Sequence, residues 1–104
     1  MTHYSVELSK SAELDLRETM HYISENLKAP AAAKRLLDEI ERAVKNLEEN
    51  PARCALARDK RLADSGHRWI KAKNYLVFFV IDENSKTVMV SRILYGRRNW
   101  AHLL

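Results

Sequence analysis

An uninterrupted apolar run from Tyr75 to Asp82 constrains the fold more than any other part of the sequence. It reads Tyr-Leu-Val-Phe-Phe-Val-Ile-Asp, with no polar residue until its last position. β-Branched and aromatic residues without polar alternation are typical of a strand that is covered on both faces. We therefore expect the rest of the chain to pack around this strand.

Length and composition indicate a single domain over residues 1–104 with one core, because the chain has 104 residues, of which 46% are apolar and 31% charged. It contains no membrane-spanning stretch and no signal-peptide pattern at its start, so we expect a cytoplasmic protein without a membrane partner. The single cysteine, Cys54, offers no disulfide, and the four histidines lack metal-ligand spacing. Neither a metal nor another cofactor is expected.

Two amphipathic helices are predicted before the apolar run. The first extends from about residue 11 to 27 and has Ser9 or Ser11 as its N-cap. The second begins at Pro30 and extends to about residue 49, because proline suits the first helical position and Asn50-Pro51 ends the pattern. Their short connection predicts an antiparallel hairpin. The apolar stripes consist of Leu16, Met20, Ile23 and Leu27 in the first helix and of Ala33, Leu36, Leu37, Ile40, Val44 and Leu47 in the second.

Four strands are predicted from alternation and turn signals. They cover residues 3–8, 67–73, 75–82 and 87–95, and residues 52–66 read as a surface loop with room for one helical turn. The element order is therefore β-α-α-β-β-β. We expect an α+β fold in which the helical hairpin packs on one face of a mainly antiparallel four-stranded sheet.

Charge is unevenly distributed along the chain. Residues 1–50 carry 7 Lys and Arg against 10 Asp and Glu, a net charge of −3, whereas residues 51–104 carry 11 against 4, a net charge of +7. This polarity favours a surface that meets a polyanion or an acidic protein.

The order and spacing of these features resemble the RelE/ParE superfamily of bacterial type II toxins. The features are the short first strand, the helical hairpin, the stop at Glu49-Asn-Pro51, the sequence Asn74-Tyr-Leu-Val-Phe-Phe, and the terminal Ile93-Leu-Tyr-Gly-Arg-Arg-Asn-Trp. The resemblance implies a growth-inhibiting toxin that is neutralised by, and forms a hetero-oligomer with, a cognate antitoxin encoded by the adjacent gene. RelE-like members cleave mRNA in the ribosomal A site, whereas ParE-like members poison DNA gyrase.

A RelE-like activity would be a metal-independent endoribonuclease, because RNA supplies its own 2′-OH and needs only groups that bind phosphate and move protons. Lys71 and Lys73 occupy alternate strand positions, which predicts that they share a face, and Gly96 supplies a flexible turn before the basic tail. The candidate catalytic residues are Lys71, Tyr95, Arg97 and Arg98, and the candidate RNA-binding residues are Lys73, Trp100 and His102.

Other interpretations stay open at this stage. RelE-like enzymes have an arginine directly after the tyrosine that opens the central strand, where this chain has Leu76. The long helical hairpin is closer to the ParE branch, which needs no catalytic set. Lys71 and Lys73 can also keep a sheet edge soluble, and the tail arginines can serve the antitoxin interface. We rank the ribonuclease first, the gyrase poison second, and a non-toxic protein-binding module that kept the fold third.

Overall fold

The computed structural model describes residues 3–96 and has an α+β architecture with helices packed on a four-stranded sheet, which confirms the predicted fold class. In chain order the elements are β1 (Ser5–Leu8), α1 (Lys10–His21), a π-helical turn (Tyr22–Asn26), α2 (Pro30–Asn46), a 3₁₀ turn (Pro51–Arg53), α3 (Lys60–Asp64), β2 (Arg68–Ala72), β3 (Tyr75–Asp82) and β4 (Thr87–Tyr95). Within residues 3–96, no helix has both the length and the apolar character that crossing a membrane requires.

The sheet has the strand order β1-β4-β3-β2. Strand β3 pairs antiparallel with β2 and β4, while β1 pairs parallel with β4, so the sheet is mainly antiparallel as predicted. A bulge interrupts the β3–β4 register between Phe78 and Phe79. Such a bulge bends the strand and increases its local twist.

The centre of β3 is covered on both faces. Val77, Phe78 and Phe79 are each no more than 1% exposed, although neighbouring side chains in a strand point in opposite directions. Val77 and Phe79 belong to the core between the sheet and the helices, whereas Phe78 lies on the opposite face. The buried members of that core are Tyr4, Ala12, Leu36, Ile40, Leu47, Ala72, Val77, Phe79, Val88, Val90 and Ile93.

The first helix changes its winding before it ends. Ser9 caps α1 by accepting a hydrogen bond from the Ala12 amide at 3.0 Å. After His21 the chain continues as a π-helical turn, in which the Leu27 amide donates to the Tyr22 carbonyl five residues earlier. The wider turn rotates Leu27 off the apolar stripe, and its side chain is 56% exposed. The predicted burial of Leu27 is therefore wrong.

The second helix begins at Pro30 as predicted but ends at Asn46 rather than near residue 49. Its last turn tightens, because the Leu47 amide donates to the Val44 carbonyl three residues back. Asn50 then adopts a left-handed backbone with φ of 47°. The helix thus stops before the residues that signal its end in the sequence.

The segment between α2 and β2 lies along the edge of the sheet. The Trp69 amide donates to the Ala55 carbonyl at 3.2 Å, and the Ala57 amide donates to the His67 carbonyl at 2.9 Å. The one helical turn allowed by the sequence is α3, which Asp59 caps by accepting from the Arg61 amide. This path places Arg58 next to β2.

Candidate functional site: two concave surfaces

The face of the sheet opposite the helices carries a cleft of about 430 Å³. We call it the outer cleft. It is lined by Arg58, Trp69, Lys71, Asn74, Leu76, Phe78 and Gly96. These residues come from the segment along the edge, from the β2–β3 hairpin and from the end of the described chain.

Strand register builds the floor and one wall of the outer cleft. Trp69 and Lys71 alternate on β2, and their partners on β3 are Phe78 and Leu76. All four side chains therefore point away from the helices. The guanidinium carbon of Arg58 lies 5.8 Å from the centroid of the Trp69 ring, within the range of a cation–π interaction.

The electrostatics of the outer cleft favour an anion. Its described lining includes two cations, Arg58 and Lys71, both exposed, and contains no carboxylate and no histidine. Within residues 3–96, no three His, Cys, Asp or Glu side chains gather closely enough to hold a metal ion. Among the described residues, the cleft can therefore bind and neutralise a negative group, but it lacks a neutral acid–base pair for proton transfer.

Gly96 closes one side of the outer cleft through a close backbone contact. Its amide donates to the Asn74 carbonyl at 2.8 Å, and a Cβ added at this position would lie only 3.1 Å from that oxygen. The sequence interpretation of Gly96 as a flexible turn is therefore incomplete. A larger residue would crowd the β2–β3 turn, so the backbone at Asn74 would have to shift slightly to accept it.

A second concavity, of about 650 Å³, lies on the helix side of the sheet. We call it the helix-side groove. Its most exposed apolar side chains are Tyr22 (53%), Leu27 (56%) and Tyr95 (38%). The full lining is Tyr22, Ile23, Leu27, Ala32, Arg35, Leu36, Lys73, Asn74, Tyr75 and Tyr95. Exposed apolar side chains gathered in one groove are typical of a protein-binding surface.

Two tyrosines form one wall of the helix-side groove. The rings of Tyr75 and Tyr95 pack edge to face with centroids 5.5 Å apart. Burial raises the pKa of the Tyr75 hydroxyl above its usual value, so Tyr75 is neutral at physiological pH. Arg35 and Lys73 supply the charge of the lining, which has no carboxylate among its described residues.

The prediction that Lys71 and Lys73 share a face is wrong. Lys71 lies in β2 and lines the outer cleft, whereas Lys73 lies in the two-residue turn after β2 and lines the helix-side groove. The left-handed backbone of Lys73, with φ of 54°, breaks the alternation that holds within a strand. Tyr95 also lies on the helix side, against Tyr75. Lys71 is thus brought neither to Lys73 nor to Tyr95.

Four of the candidate residues, Arg97, Arg98, Trp100 and His102, lie outside the described residues. In their place the structure identifies groups that sequence reasoning missed. Arg58 comes from a segment without periodicity, so nothing in its pattern indicated a cleft. Leu27 fits the apolar stripe of the first helix, and the π-helical turn exposes it. Tyr22 lies outside that stripe, and no pattern in the sequence marks it as a site residue.

Comparison with known proteins identifies a family and several solved structures of similar fold. The family model of the ParE toxin of the type II toxin-antitoxin system parDE matches residues 6–100. The fold is similar to the chromosomal ParDE toxin-antitoxin system of P. aeruginosa, with a TM-score of 0.71, 20% identity, and coverage of 91% of this chain and 98% of that one. It is also similar to the RelBE2 toxin-antitoxin complex of Mycobacterium tuberculosis. That match has a TM-score of 0.62 and 20% identity, and it covers 89% of this chain and 98% of that one. No curated protein matches the sequence.

Proposed function

The chain belongs to the ParE toxin family of type II toxin-antitoxin systems, and from this premise we propose that it arrests growth by poisoning DNA gyrase. A cognate antitoxin encoded by the adjacent gene neutralises it by covering the helix-side groove. The sequence alone favoured the ribonuclease over the gyrase poison, and this proposal reverses that order. The family match over residues 6–100 carries the proposal.

The placement of the candidate catalytic residues supports inhibition by binding rather than by RNA cleavage. Metal-independent cleavage requires phosphate-binding and proton-transferring groups that converge on one scissile bond. Among the described candidates, Lys71 lies in the outer cleft and Tyr95 in the helix-side groove. Leu76, which occupies the position of the RelE-like arginine, contributes an apolar side chain to the outer cleft. A gyrase poison needs no such convergence.

The helix-side groove has the properties that an antitoxin segment requires. Tyr22, Leu27 and Tyr95 present apolar surface that a second chain can remove from water, and Arg35 and Lys73 attract carboxylates. Disordered segments that fold on binding can wrap a large surface of this kind. The ParDE and RelBE2 structures are themselves toxin-antitoxin systems. An acidic amphipathic segment of the antitoxin therefore fits this groove.

Ribosome-dependent mRNA cleavage is the second candidate function. The observation that favours it is the outer cleft, where Lys71 and Arg58 flank the indole of Trp69. Cations beside an aromatic ring match contact with phosphate and base. Under this alternative, the tail residues Arg97 and Arg98 would have to complete the catalytic set.

Induced expression in cells separates the two candidates. We expect growth arrest with double-strand breaks in the chromosome, intact mRNA, and recovery when the adjacent gene is co-expressed. Arrest with cut mRNA and an intact chromosome would favour the ribonuclease. Normal growth in the absence of the adjacent gene would indicate a non-toxic binding module instead.

A further inference from the structure

A third concavity, of about 190 Å³, adjoins the helix-side groove. We call it the Glu18 pocket. Its lining includes Asp15 and Glu18 of α1, and it shares Tyr22, Tyr75 and Tyr95 with the groove. Because the three tyrosines line both concavities, they form the boundary between them. A chain that lies in the groove and extends past these tyrosines therefore reaches Glu18.

The two concavities carry opposite charges. The described lining of the helix-side groove has Arg35 and Lys73 and no carboxylate, whereas that of the Glu18 pocket has Asp15 and Glu18 and neither lysine nor arginine. Asp15 is neutralised by Arg92 through hydrogen bonds of 2.7 and 2.8 Å. Glu18 is exposed, and its carboxylate forms no hydrogen bond or ion pair with any residue in the described part of the chain. The uncompensated charge of the pocket is thus that of Glu18.

We propose that the Glu18 pocket takes a lysine or arginine side chain of the antitoxin and thereby fixes the direction in which the antitoxin segment crosses the toxin. This inference rests on the proposed antitoxin contact in the helix-side groove. It adds a second requirement to the acidic character of that segment. The segment places carboxylates toward Arg35 and Lys73, apolar side chains on the tyrosines, and a basic side chain at Glu18.

Helical spacing makes Glu18 a continuation of the groove. Glu18 lies four residues before Tyr22, so the two side chains occupy the same face of the helix, one turn apart. Tyr22 is 53% exposed and Tyr95 is 38% exposed. An ammonium or guanidinium group beside Glu18 can therefore also contact the faces of aromatic rings, which attract cations.

The size of the Glu18 pocket favours a single side chain. Its volume of about 190 Å³ is below the range of small-ligand pockets, roughly 300–1,000 Å³. The pocket also does not suit a free metal ion, because no three His, Cys, Asp or Glu side chains within residues 3–96 gather closely enough to hold one. A basic side chain on a segment that already occupies the groove needs no enclosed site, since the other contacts of the segment keep it close.

The opposite charges also disfavour a segment that runs in the reverse direction. In that direction the basic side chain of the antitoxin would face Arg35 and Lys73, and its carboxylates would face Glu18. Like charges brought together at an interface reduce affinity. Glu18 is therefore a specificity determinant as well as a contact.

Isothermal titration calorimetry with the full-length toxin and the product of the adjacent gene tests the proposal. Glu18→Gln removes the charge without adding a cation near Arg92, and it should weaken binding about three- to tenfold. Glu18→Lys should weaken binding by more than about tenfold. Glu41→Lys makes the same charge reversal on α2, at an exposed position outside both concavities, and should change affinity by less than about twofold. Melting curves of all variants confirm that they are folded.

Charge reversal in the antitoxin identifies the side chain that Glu18 binds. Each lysine and arginine of the adjacent gene product is replaced in turn by glutamate. One of these antitoxin variants should bind the wild-type toxin weakly and recover to within about threefold of the wild-type affinity when it is paired with Glu18→Lys. An unfolded toxin cannot produce such a recovery, so this measurement separates a lost contact from a lost structure.

Two results would overturn the inference. The first is equal weakening by Glu18→Lys and Glu41→Lys, because only the overall charge of the toxin would then matter. The second is the absence of any antitoxin variant that recovers with Glu18→Lys. If Leu27→Ala weakens binding and the Glu18 variants do not, the groove still binds the antitoxin and only this inference fails. If the adjacent gene product does not bind, or Leu27→Ala has no effect, the proposed antitoxin contact fails together with it.

Discussion

Lys71 and Lys73 are separated by a single residue, yet they line concavities on opposite sides of the sheet. Ala72 between them is 4% exposed and belongs to the core, and the left-handed backbone of Lys73, with φ of 54°, turns the second lysine away from the face of the first. The outer cleft and the helix-side groove are therefore separate surfaces, and Asn74 is the one described residue that lines both. Substitutions can change one of them while the other stays intact.

Leu27 should be an anchor for the antitoxin. Leu27→Ala removes apolar surface from the helix-side groove, and we expect the product of the adjacent gene to bind at least about tenfold more weakly. Because the side chain is 56% exposed in the free toxin, the free energy of unfolding should fall by less than about 1 kcal/mol. Isothermal titration calorimetry measures the affinity, and urea denaturation measures the stability.

Leu14 provides the matched control for that experiment. Its side chain is 49% exposed and lies on α1, outside the lining of the helix-side groove. Leu14→Ala should leave antitoxin affinity within about twofold of wild type, because a single exposed leucine outside the groove is ordinary protein surface. If Leu14→Ala and Leu27→Ala weakened antitoxin binding equally, the helix-side groove would not be the antitoxin site.

Asp15 and Arg92 form an ion pair that fixes α1 to the edge of β4. The carboxylate accepts two hydrogen bonds from the guanidinium, at 2.7 and 2.8 Å, and a third from the Ile93 amide at 3.0 Å. The hydrogen bond to Asp15 raises the pKa of Arg92 above its usual value. Side-chain exposure is only 20% for Arg92 and 11% for Asp15. Asp15→Ala should lower the free energy of unfolding by about 2–4 kcal/mol.

Glu39→Ala is the comparison for Asp15→Ala. It removes an ion pair with Arg42 of similar length, 2.7 Å, but that pair is exposed on α2. Exposed ion pairs of this kind in helices contribute less than about 0.5 kcal/mol to the free energy of unfolding. Chemical denaturation measures the free energy of unfolding of both variants. If Asp15→Ala and Glu39→Ala lowered it by similar amounts, the Asp15–Arg92 pair would not be what fixes α1 to β4.

The turn between β3 and β4 should make stability depend on pH in acid. Asp82 accepts hydrogen bonds from Ser85 and from the Asn84 amide at 3.0 Å, and the bonds from Ser85 contribute most to lowering the pKa of its carboxyl. A lowered pKa in the folded state stabilises the protein above the unfolded value of about 4. That contribution is lost as the pH falls through the lower, folded pKa.

Melting curves of wild type and Asp82→Ala at a series of pH values test this linkage. Asp82→Ala should have a lower melting temperature than wild type at pH 7. The difference between the two melting temperatures should begin to narrow below about pH 4, because the wild-type carboxyl then takes up its proton. Asp82→Asn keeps an acceptor oxygen without the charge, so its melting temperature should vary less with pH over this range. A gap that stays constant down to pH 2 would exclude a role for the Asp82 charge.

The fold could be predicted from the sequence because its elements have strong local signals. The apolar run of β3, the alternation of β1 and the stripe of α2 each specify one element and one buried face. The parallel pairing of β1 with β4 depends on contacts between residues about 80 positions apart, so no local pattern indicates it. The π-helical turn cannot be recognised in the sequence either, because its residues fit the apolar pattern of an ordinary α-helix.

The candidate sites were harder to predict, since they depend on turns and edges. Strand alternation predicts that Lys71 and Lys73 share a face, and it fails at Lys73, where the backbone becomes left-handed. Arg58 enters the outer cleft only because the segment before β2 pairs with the sheet edge. Residue type alone identified the basic half of the chain, and the tertiary structure decides which of its cations lie together.

A gyrase cleavage assay with purified components tests the central proposal most directly. Toxin is incubated with DNA gyrase, ATP and circular plasmid, and linear DNA is quantified after denaturation of the enzyme. We predict that linear plasmid accumulates with increasing toxin, that an equimolar amount of the adjacent gene product abolishes this effect for wild type, and that Leu27→Ala requires a higher concentration of that product for the same protection. No increase in linear plasmid at any toxin concentration, together with cuts in ribosome-bound mRNA in a parallel translation reaction, would contradict the account.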